Sequence, residues 1–161
     1  MKAAVVYYSL EGHTRKVAHE AARQLGATLV ELSCVRPYAT SGPAKYGRAS
    51  KDTLLGVRPE LVPYTFDDES FDLVVLAAPC WAGRPAAPLN TFLAGHALAG
   101  ARRAAVITCK AASAAVKYGE AMRRTCGLGA SDPVLALSEG DIADASELSA
   151  KVTAFCEACQ K

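Results

Sequence analysis

The chain has 161 residues, of which 51% are hydrophobic and 21% are charged, and this composition is typical of one globular domain with a full core. A formal net charge of +2 is too small to favour nucleic-acid binding, and no apolar run approaches the roughly 20 residues of a membrane span. The six cysteines and the lack of a signal-peptide pattern at the start predict a cytoplasmic protein with reduced thiols.

The chain opens with a predicted strand followed by a predicted helix. Residues 2–8 form an apolar run rich in β-branched and aromatic side chains, which is typical of a buried strand. Apolar residues then recur at helical spacing from Thr14 to Leu25, and Gly26 ends this pattern. The turn between them therefore lies where a strand ends and a helix begins.

The turn at residues 9–14 has the features of an anion site. A helix N-terminus leaves backbone N–H groups free and carries about half a positive charge, so anions bind there. Ser9 and Thr14 add hydroxyl groups, and Gly12 lets a ligand approach the backbone. Because the glycine spacing of Rossmann and Walker loops is missing, the turn by itself indicates either a phosphate site or a tight turn capped by Thr14.

Strand and helix patterns alternate along the remaining chain. Further strands are predicted at 28–34, 72–78, 103–109 and 133–137, and helices at 45–55, 88–98, 112–126 and 142–158. This alternation predicts a single domain, residues 1–161, in which helices cover both faces of five parallel strands. The segment 35–65 is rich in proline and glycine, and the sequence leaves its degree of order open.

The loops that follow parallel strands meet at one edge of the sheet. In open α/β sheets ligands bind at this edge, outside the carboxyl ends of the strands. The turn at 9–14 should therefore lie beside the loops at 79–84 and 109–113. We expect the ligand-binding residues in these three loops.

Three segments, each following or containing a predicted strand, resemble the flavodoxin family: YYSLEGHTRKVA at 7–18, DLVVLAAPCWAGRPAAPLNTFL at 72–93 and RRAAVITCKAAS at 102–113. The first is similar to the family's phosphate loop. The second is similar to its third strand and the Pro-x-Trp-x-Gly turn beside the flavin ring, and the third to its fourth strand. The resemblance implies an α/β three-layer sandwich with a five-stranded parallel sheet, strand order 2-1-3-4-5, and FMN as cofactor.

The resemblance also implies which residues bind the cofactor. The phosphate loop would comprise Ser9, Leu10, Glu11, Gly12, His13 and Thr14. The turn beside the ring would comprise Pro79, Cys80, Trp81, Ala82 and Gly83, and the end of the fourth strand Thr108, Cys109 and Lys110. No catalytic residue and no metal ligand is expected.

Two single residues and one loop depart from the family pattern. Glu11 stands where many members have Thr or Ser, and since a carboxylate would repel a phosphate, we expect it to turn outward. His13 stands where Asn is frequent, and an imidazolium there would help hold a phosphate. The loop Lys110–Ser113 lacks the aromatic and acidic residues common in the family, which leaves the second ring-stacking partner unassigned.

Trp81 and the cysteines each have two interpretations. Trp81, the sole tryptophan, stacks on the flavin ring or packs on the helix that starts at Pro88. Cys80 and Cys109 end adjacent strands, where they either form a reversible disulfide or serve as small apolar neighbours of the ring. The Cys-x-x-Cys pair at 156–159 lies at a helix C-terminus, where the dipole does not activate a thiol, and we interpret it as structural.

The loops also carry basic residues that bear on redox behaviour: Arg36, Lys45, Arg48, Lys51, Arg84 and Lys110. If they surround the ring, they favour the anionic reduced flavin and make the reduction potential less negative, whereas solvated and screened charges would have little effect.

Three functions agree with these observations. The first is an FMN-binding electron carrier that acts between redox partner proteins. The second is an FMN-dependent NAD(P)H oxidoreductase acting on quinones or similar acceptors. The third is a flavodoxin-like domain that has lost its cofactor. The sequence does not determine the oligomeric state.

Overall fold

Six strands and six helices alternate along the chain, whose computed structural model describes residues 1–161. The strands are β1 (Ala3–Tyr7), β2 (Thr28–Glu31), β3 (Leu73–Trp81), β4 (Arg84–Pro85), β5 (Arg102–Cys109) and β6 (Val134–Ser138). The helices are α1 (His13–Leu25), α2 (Ala44–Leu54), α3 (Pro88–Gly95), α4 (Ala115–Cys126), α5 (Glu139–Ala143) and α6 (Ala145–Cys159), and a 3-10 turn at Ala112–Ala114 precedes α4.

The sheet has the order β2-β1-β3-β5-β6, and all of these strands are parallel. The two-residue β4 pairs antiparallel with the end of β3 outside this path. Counting only the five parallel strands, the order is the predicted 2-1-3-4-5. The predicted α/β fold is therefore confirmed, with one short strand added.

The core consists of two apolar layers, one on each face of the sheet. One layer joins α1 and α6 to the sheet through residues such as Val17, Leu148 and Val152. The other includes Leu89 and Phe92 of α3 together with residues of α2 and α4. Alternate residues of β1 and β3 point into opposite layers, so β1 and the first six residues of β3 are apolar and buried, as in parallel sheets generally.

Strand β3 extends three residues beyond the predicted end at Ala78. The extension arises because residues 80 and 81 pair with β4, and Ala82 and Gly83 form the two-residue turn between them. Both turn residues have positive φ, at 49° and 78°, as a tight hairpin turn requires. This hairpin brings the predicted loop at 79–84 back over the sheet edge.

The predicted last helix, 142–158, is two helices in the structure. Ser138 and Asp141 form a capping box that starts α5, and Asp144 accepts hydrogen bonds from the backbone N–H groups of Ser146 and Glu147 to start α6. Asp144 is the N-cap of α6, and Asp141 stands at the third position of α5.

The segment 35–65 is anchored at both ends. Cys34 forms an isolated antiparallel bridge with Leu61, so the predicted second strand stops early, at Glu31. Backbone hydrogen bonds join Val35 to Glu60 at 3.0 Å and Val62 to Ser33 at 2.8 Å. The anchored segment carries α2, which agrees with the helix predicted at 45–55.

None of the helices is both long and apolar enough to cross a bilayer.

Candidate functional site

A cavity lies at the carboxyl edge of the sheet, where the three predicted loops meet. Its lining is Ser9, Leu10, Glu11, His13, Thr14, Lys45, Tyr46, Pro79, Cys80, Trp81, Thr108, Cys109, Lys110 and Glu139. Eleven of the fourteen residues predicted to bind a cofactor are in this lining. Gly12, Ala82 and Gly83 are not, because they form the backbone turns that shape the two loops.

The turn at residues 9–14, the first turn of the chain, presents free backbone N–H groups at the start of α1. The Ser9 hydroxyl accepts hydrogen bonds from the N–H groups of Gly12 and Arg15, both at 3.1 Å, and Gly12 adopts φ 96°. The N–H groups of Leu10, Glu11, His13 and Thr14 make no hydrogen bond in the structure. These four donors, together with the positive end of the helix dipole, form a site suited to an anion.

Thr14 is not the helix cap that the simpler interpretation supposed, since it lies inside α1 and is 1% exposed. Its hydroxyl lies 2.7 Å from that of Thr108, which is also buried, on β5. This hydrogen bond ties the first turn to the end of β5. The two loops therefore keep a fixed separation across the cavity.

The charge of Glu11 is paired rather than directed at an anion. Its carboxylate accepts a hydrogen bond from the ammonium group of Lys45, which reaches over from α2. One carboxylate oxygen each of Glu11 and Glu139 and one ring nitrogen of His13 lie within 4.8 Å of one another beside the turn. Sequence reasoning missed Glu139, although its place directly after β6 puts it at the same sheet edge.

Trp81 borders the cavity but is only 8% exposed. Its ring packs edge-to-face against Tyr8, with centroids 5.4 Å apart, and against Tyr38, with centroids 4.8 Å apart. Such aromatic pairs contribute about 0.5–1.5 kcal/mol each beyond the area that they bury. Most of the indole is therefore held by the protein itself.

The first turn of α2 closes the remaining side of the cavity. Tyr46 is 51% exposed, and its hydroxyl accepts a hydrogen bond from Lys110, across the cavity. The ammonium groups of Lys45 and Lys110 lie 5.2 and 4.6 Å from the centre of its ring. Sequence reasoning also missed Tyr46, because nothing in the pattern of segment 35–65 shows where its helix packs.

The remaining basic residues do not surround the cavity. Arg48 donates to the backbone carbonyls of Arg36 and Pro37, pairs with Asp52 at 3.4 Å and lies over the Tyr38 ring. Of the six basic residues considered for redox tuning, only Lys45 and Lys110 are in the lining. The other four, Arg36, Arg48, Lys51 and Arg84, lie outside it, so the interpretation in which all six surround the ring does not hold.

The two thiols in the cavity are protonated at neutral pH. Burial raises the pKa of Cys80 to about 11, and burial followed by the charges of Asp141 and Glu139 raises the pKa of Cys109. All six cysteines are free. Cys80 and Cys109 therefore contribute small, uncharged surfaces, which agrees with their interpretation as apolar neighbours of a ligand.

The pair at the end of α6 is buried as well. Burial raises the pKa of Cys156 to about 11 and that of Cys159 to about 12. Both side chains belong to the apolar layer shared with α1. This agrees with a structural interpretation of the motif.

Comparisons with known proteins agree with this architecture. The model of the flavodoxin family matches residues 2–159. A Lactobacillus acidophilus NCFM flavoprotein solved in complex with FMN has a similar fold, with a TM-score of 0.70 and 22% identity over 88% of this chain and 96% of that one. Flavodoxin 2 from Bacillus cereus gives a TM-score of 0.53 and 15% identity over 99% and 98% of the two chains.

No curated protein matches the chain. The family match covers almost its whole length, and the strand order and the cavity at the sheet edge agree with it. The chain therefore belongs to the flavodoxin family.

Proposed function

We propose that this protein binds FMN in the cavity at the sheet edge and transfers electrons through it. The observation that carries the proposal is the first turn, where four unpaired backbone N–H groups surround the start of α1. A phosphate monoester with two negative charges is the kind of group that such a turn binds. The family of the chain and the FMN complex of a similar protein support the same ligand.

The proposal assigns distinct tasks to the cavity residues. Ser9 holds the turn in shape through two backbone hydrogen bonds, and Lys45 compensates the charge of Glu11, which would otherwise repel the phosphate. The uncharged walls formed by Pro79, Cys80 and Cys109 suit a flat heteroaromatic ring.

Bound FMN supplies the redox chemistry, and the protein supplies position and electrostatics. Because Lys45 is paired with Glu11, Lys110 supplies the positive charge at the cavity that favours the anionic reduced cofactor. No side chain in the lining is needed as a nucleophile or metal ligand for this task. We propose redox partner proteins as the electron donor and acceptor.

A second candidate function is direct oxidation of NAD(P)H, with quinones or similar compounds as acceptors. The two ammonium groups of Lys45 and Lys110 favour it, since they would attract the phosphates of a nicotinamide cofactor. Mixing the FMN-loaded protein with NAD(P)H without air separates the two functions. Rapid direct bleaching indicates an oxidoreductase, and slow or absent bleaching indicates a carrier.

Titration of free FMN with the cofactor-free protein, followed by flavin fluorescence, tests the proposal. We expect saturable quenching of flavin fluorescence, and a dissociation constant at least about tenfold larger for Ser9→Ala, because the turn loses the acceptor that shapes it. Ser70→Ala is the matched control, since Ser70 bonds only to Asp67 in an exposed turn away from the cavity. If the wild-type protein shows no saturable quenching, the domain does not bind FMN.

A further inference from the structure

We propose that Tyr46 is the aromatic side chain that covers the flavin ring in this protein. The inference rests on the proposed binding of FMN. The loop after β5 reads Lys-Ala-Ala-Ser from Lys110 to Ser113 and has no aromatic side chain that could stack on the flavin ring. We assign this stacking contact to α2 instead.

The aromatic side chains of the cavity differ in what they offer a ligand. The lining contains two large aromatic residues, Trp81 and Tyr46. Trp81 is 8% exposed and engages two tyrosines of the protein through its ring. Tyr46 is 51% exposed, and its ring has cation–π contacts with Lys45 and Lys110 but no aromatic partner within the protein, so it is the more available of the two rings to a planar ligand.

The position of Tyr46 is set from both sides of the cavity. Lys45, the residue before it, pairs with Glu11 of the first turn. Lys110, at the end of β5, donates to the Tyr46 hydroxyl. The first turn of α2 thus spans the cavity from the phosphate loop to the strand end, with the tyrosine ring between these two contacts.

The same two lysines add charge beside the ring. Their ammonium groups lie 5.2 and 4.6 Å from its centre and are part of the cavity lining. A flavin that lies against Tyr46 is therefore close to the ammonium group of Lys110 and to that of Lys45, whose charge is paired with Glu11.

The test compares FMN binding by the wild-type protein with that of Tyr46→Ala, Tyr46→Phe and Leu54→Ala. Leu54 is the matched control, since it lies on the same helix, is 54% exposed and is outside the cavity lining. We expect a dissociation constant about tenfold larger for Tyr46→Ala, less than about threefold larger for Tyr46→Phe, and unchanged for Leu54→Ala. The absorption bands of bound flavin should shift in Tyr46→Ala and stay in place in Tyr46→Phe.

The outcomes separate this inference from the proposed function. If the wild-type protein binds FMN and Tyr46→Ala binds it equally well with the same spectrum, Tyr46 does not cover the ring and the proposed function stands. Equal weakening by Tyr46→Ala and Tyr46→Phe also overturns the inference, because the hydroxyl and not the ring face would then matter. If the wild-type protein does not bind FMN, both fall.

Discussion

The hydrogen bond between Thr14 and Thr108 shows how single residues hold the candidate site together. Both hydroxyls are buried, and they lie 2.7 Å apart at the base of the cavity. In a parallel sheet the ends of β1 and β5 are separated by β3, so no backbone ladder joins them. The threonine pair provides this link through side chains.

Thr14→Val should destabilise the cofactor-free protein by about 1–3 kcal/mol, because it leaves the buried hydroxyl of Thr108 without a partner. The double variant Thr14→Val/Thr108→Val should recover most of this loss, since it removes both polar groups while keeping their shape. Urea unfolding of the wild-type protein, the two single variants and the double variant measures the coupling. A double variant whose loss equals the sum of the single losses would show that the two hydroxyls do not interact.

At the scale of elements, α2 has the largest effect on the site. It belongs to the connection between β2 and β3, yet its first turn contributes Lys45 and Tyr46 to the cavity. Its position depends on the antiparallel contacts at the two ends of segment 35–65 and on the partly buried hydrogen bond from Tyr38 to Asp52 at 2.8 Å. An element that looks like an insertion in the sequence is thus part of the binding wall.

The junction of β6 with α5 and α6 positions Glu139 beside the first turn. The Asp141 carboxylate accepts hydrogen bonds from Lys151 at 2.5 Å and from the backbone N–H of Ser138 at 2.8 Å. Three hydrogen bonds lower the pKa of Asp141 to about 2, from 3.8 in an unstructured peptide. The one from the ammonium group of Lys151 has the largest effect, and those from the backbone N–H and the hydroxyl of Ser138 add to it. The ionised carboxylate therefore stabilises the folded protein.

This lowered pKa predicts an acid-sensitive contribution to stability. A group whose pKa falls on folding stabilises the protein fully above its unfolded pKa, so the contribution is present above about pH 4 and is lost as the pH falls towards about 2. Asp141→Asn should cost about 1 kcal/mol at pH 7, because it removes the charge that pairs with Lys151 and weakens the capping box with Ser138, and less in acid. Urea unfolding as a function of pH measures the difference.

Glu147→Gln serves as the control for Asp141. Glu147 lies 3.7 Å from the same lysine but is exposed and caps no helix, so its loss should change the stability by less than about 0.5 kcal/mol at any pH. A difference between wild type and Asp141→Asn that stays constant from pH 7 to pH 2 would contradict the assignment.

At the scale of the whole molecule, the charge distribution bears on redox behaviour. The net charge is +2, but basic side chains such as Arg15, Arg23 and Arg48 pair with carboxylate oxygens outside the cavity lining. Two ammonium groups remain at the site, those of Lys45 and Lys110. The effect on the cofactor should therefore be local rather than a property of the total charge.

Lys110→Gln should make the reduction potential of bound FMN more negative by about 5–20 mV for a two-electron couple, because one positive charge beside the reduced flavin is lost. Lys51→Gln removes the same charge from an exposed position of α2 outside the cavity lining and should change the potential less. Potentiometric titration of the two FMN-loaded variants measures both shifts. Equal shifts would mean that net charge, and not proximity, sets the potential.

Local patterns predicted the alternating strands and helices and the sheet edge at which the cavity lies, and the resemblance to the flavodoxin family implied the strand order. Neighbouring residues are enough to indicate apolar strands such as β1 and β3, helices whose apolar residues recur every 3.6 residues, and the hydroxyl-and-glycine turn at 9–14. The parallel arrangement of the strands then places their loops at one edge of the sheet. The resemblance to the flavodoxin family implied the individual residues in these loops, and eleven of them lie around the cavity.

Contacts between distant segments were decided only by the tertiary structure. The sequence shows that Trp81 follows a strand, but not that Tyr8 and Tyr38 enclose its ring. It shows a helix near Tyr46, but not that Glu11 and Lys110 hold that helix across the cavity. Packing between elements far apart in the chain depends on shape and charge in three dimensions, which periodicity and spacing do not encode.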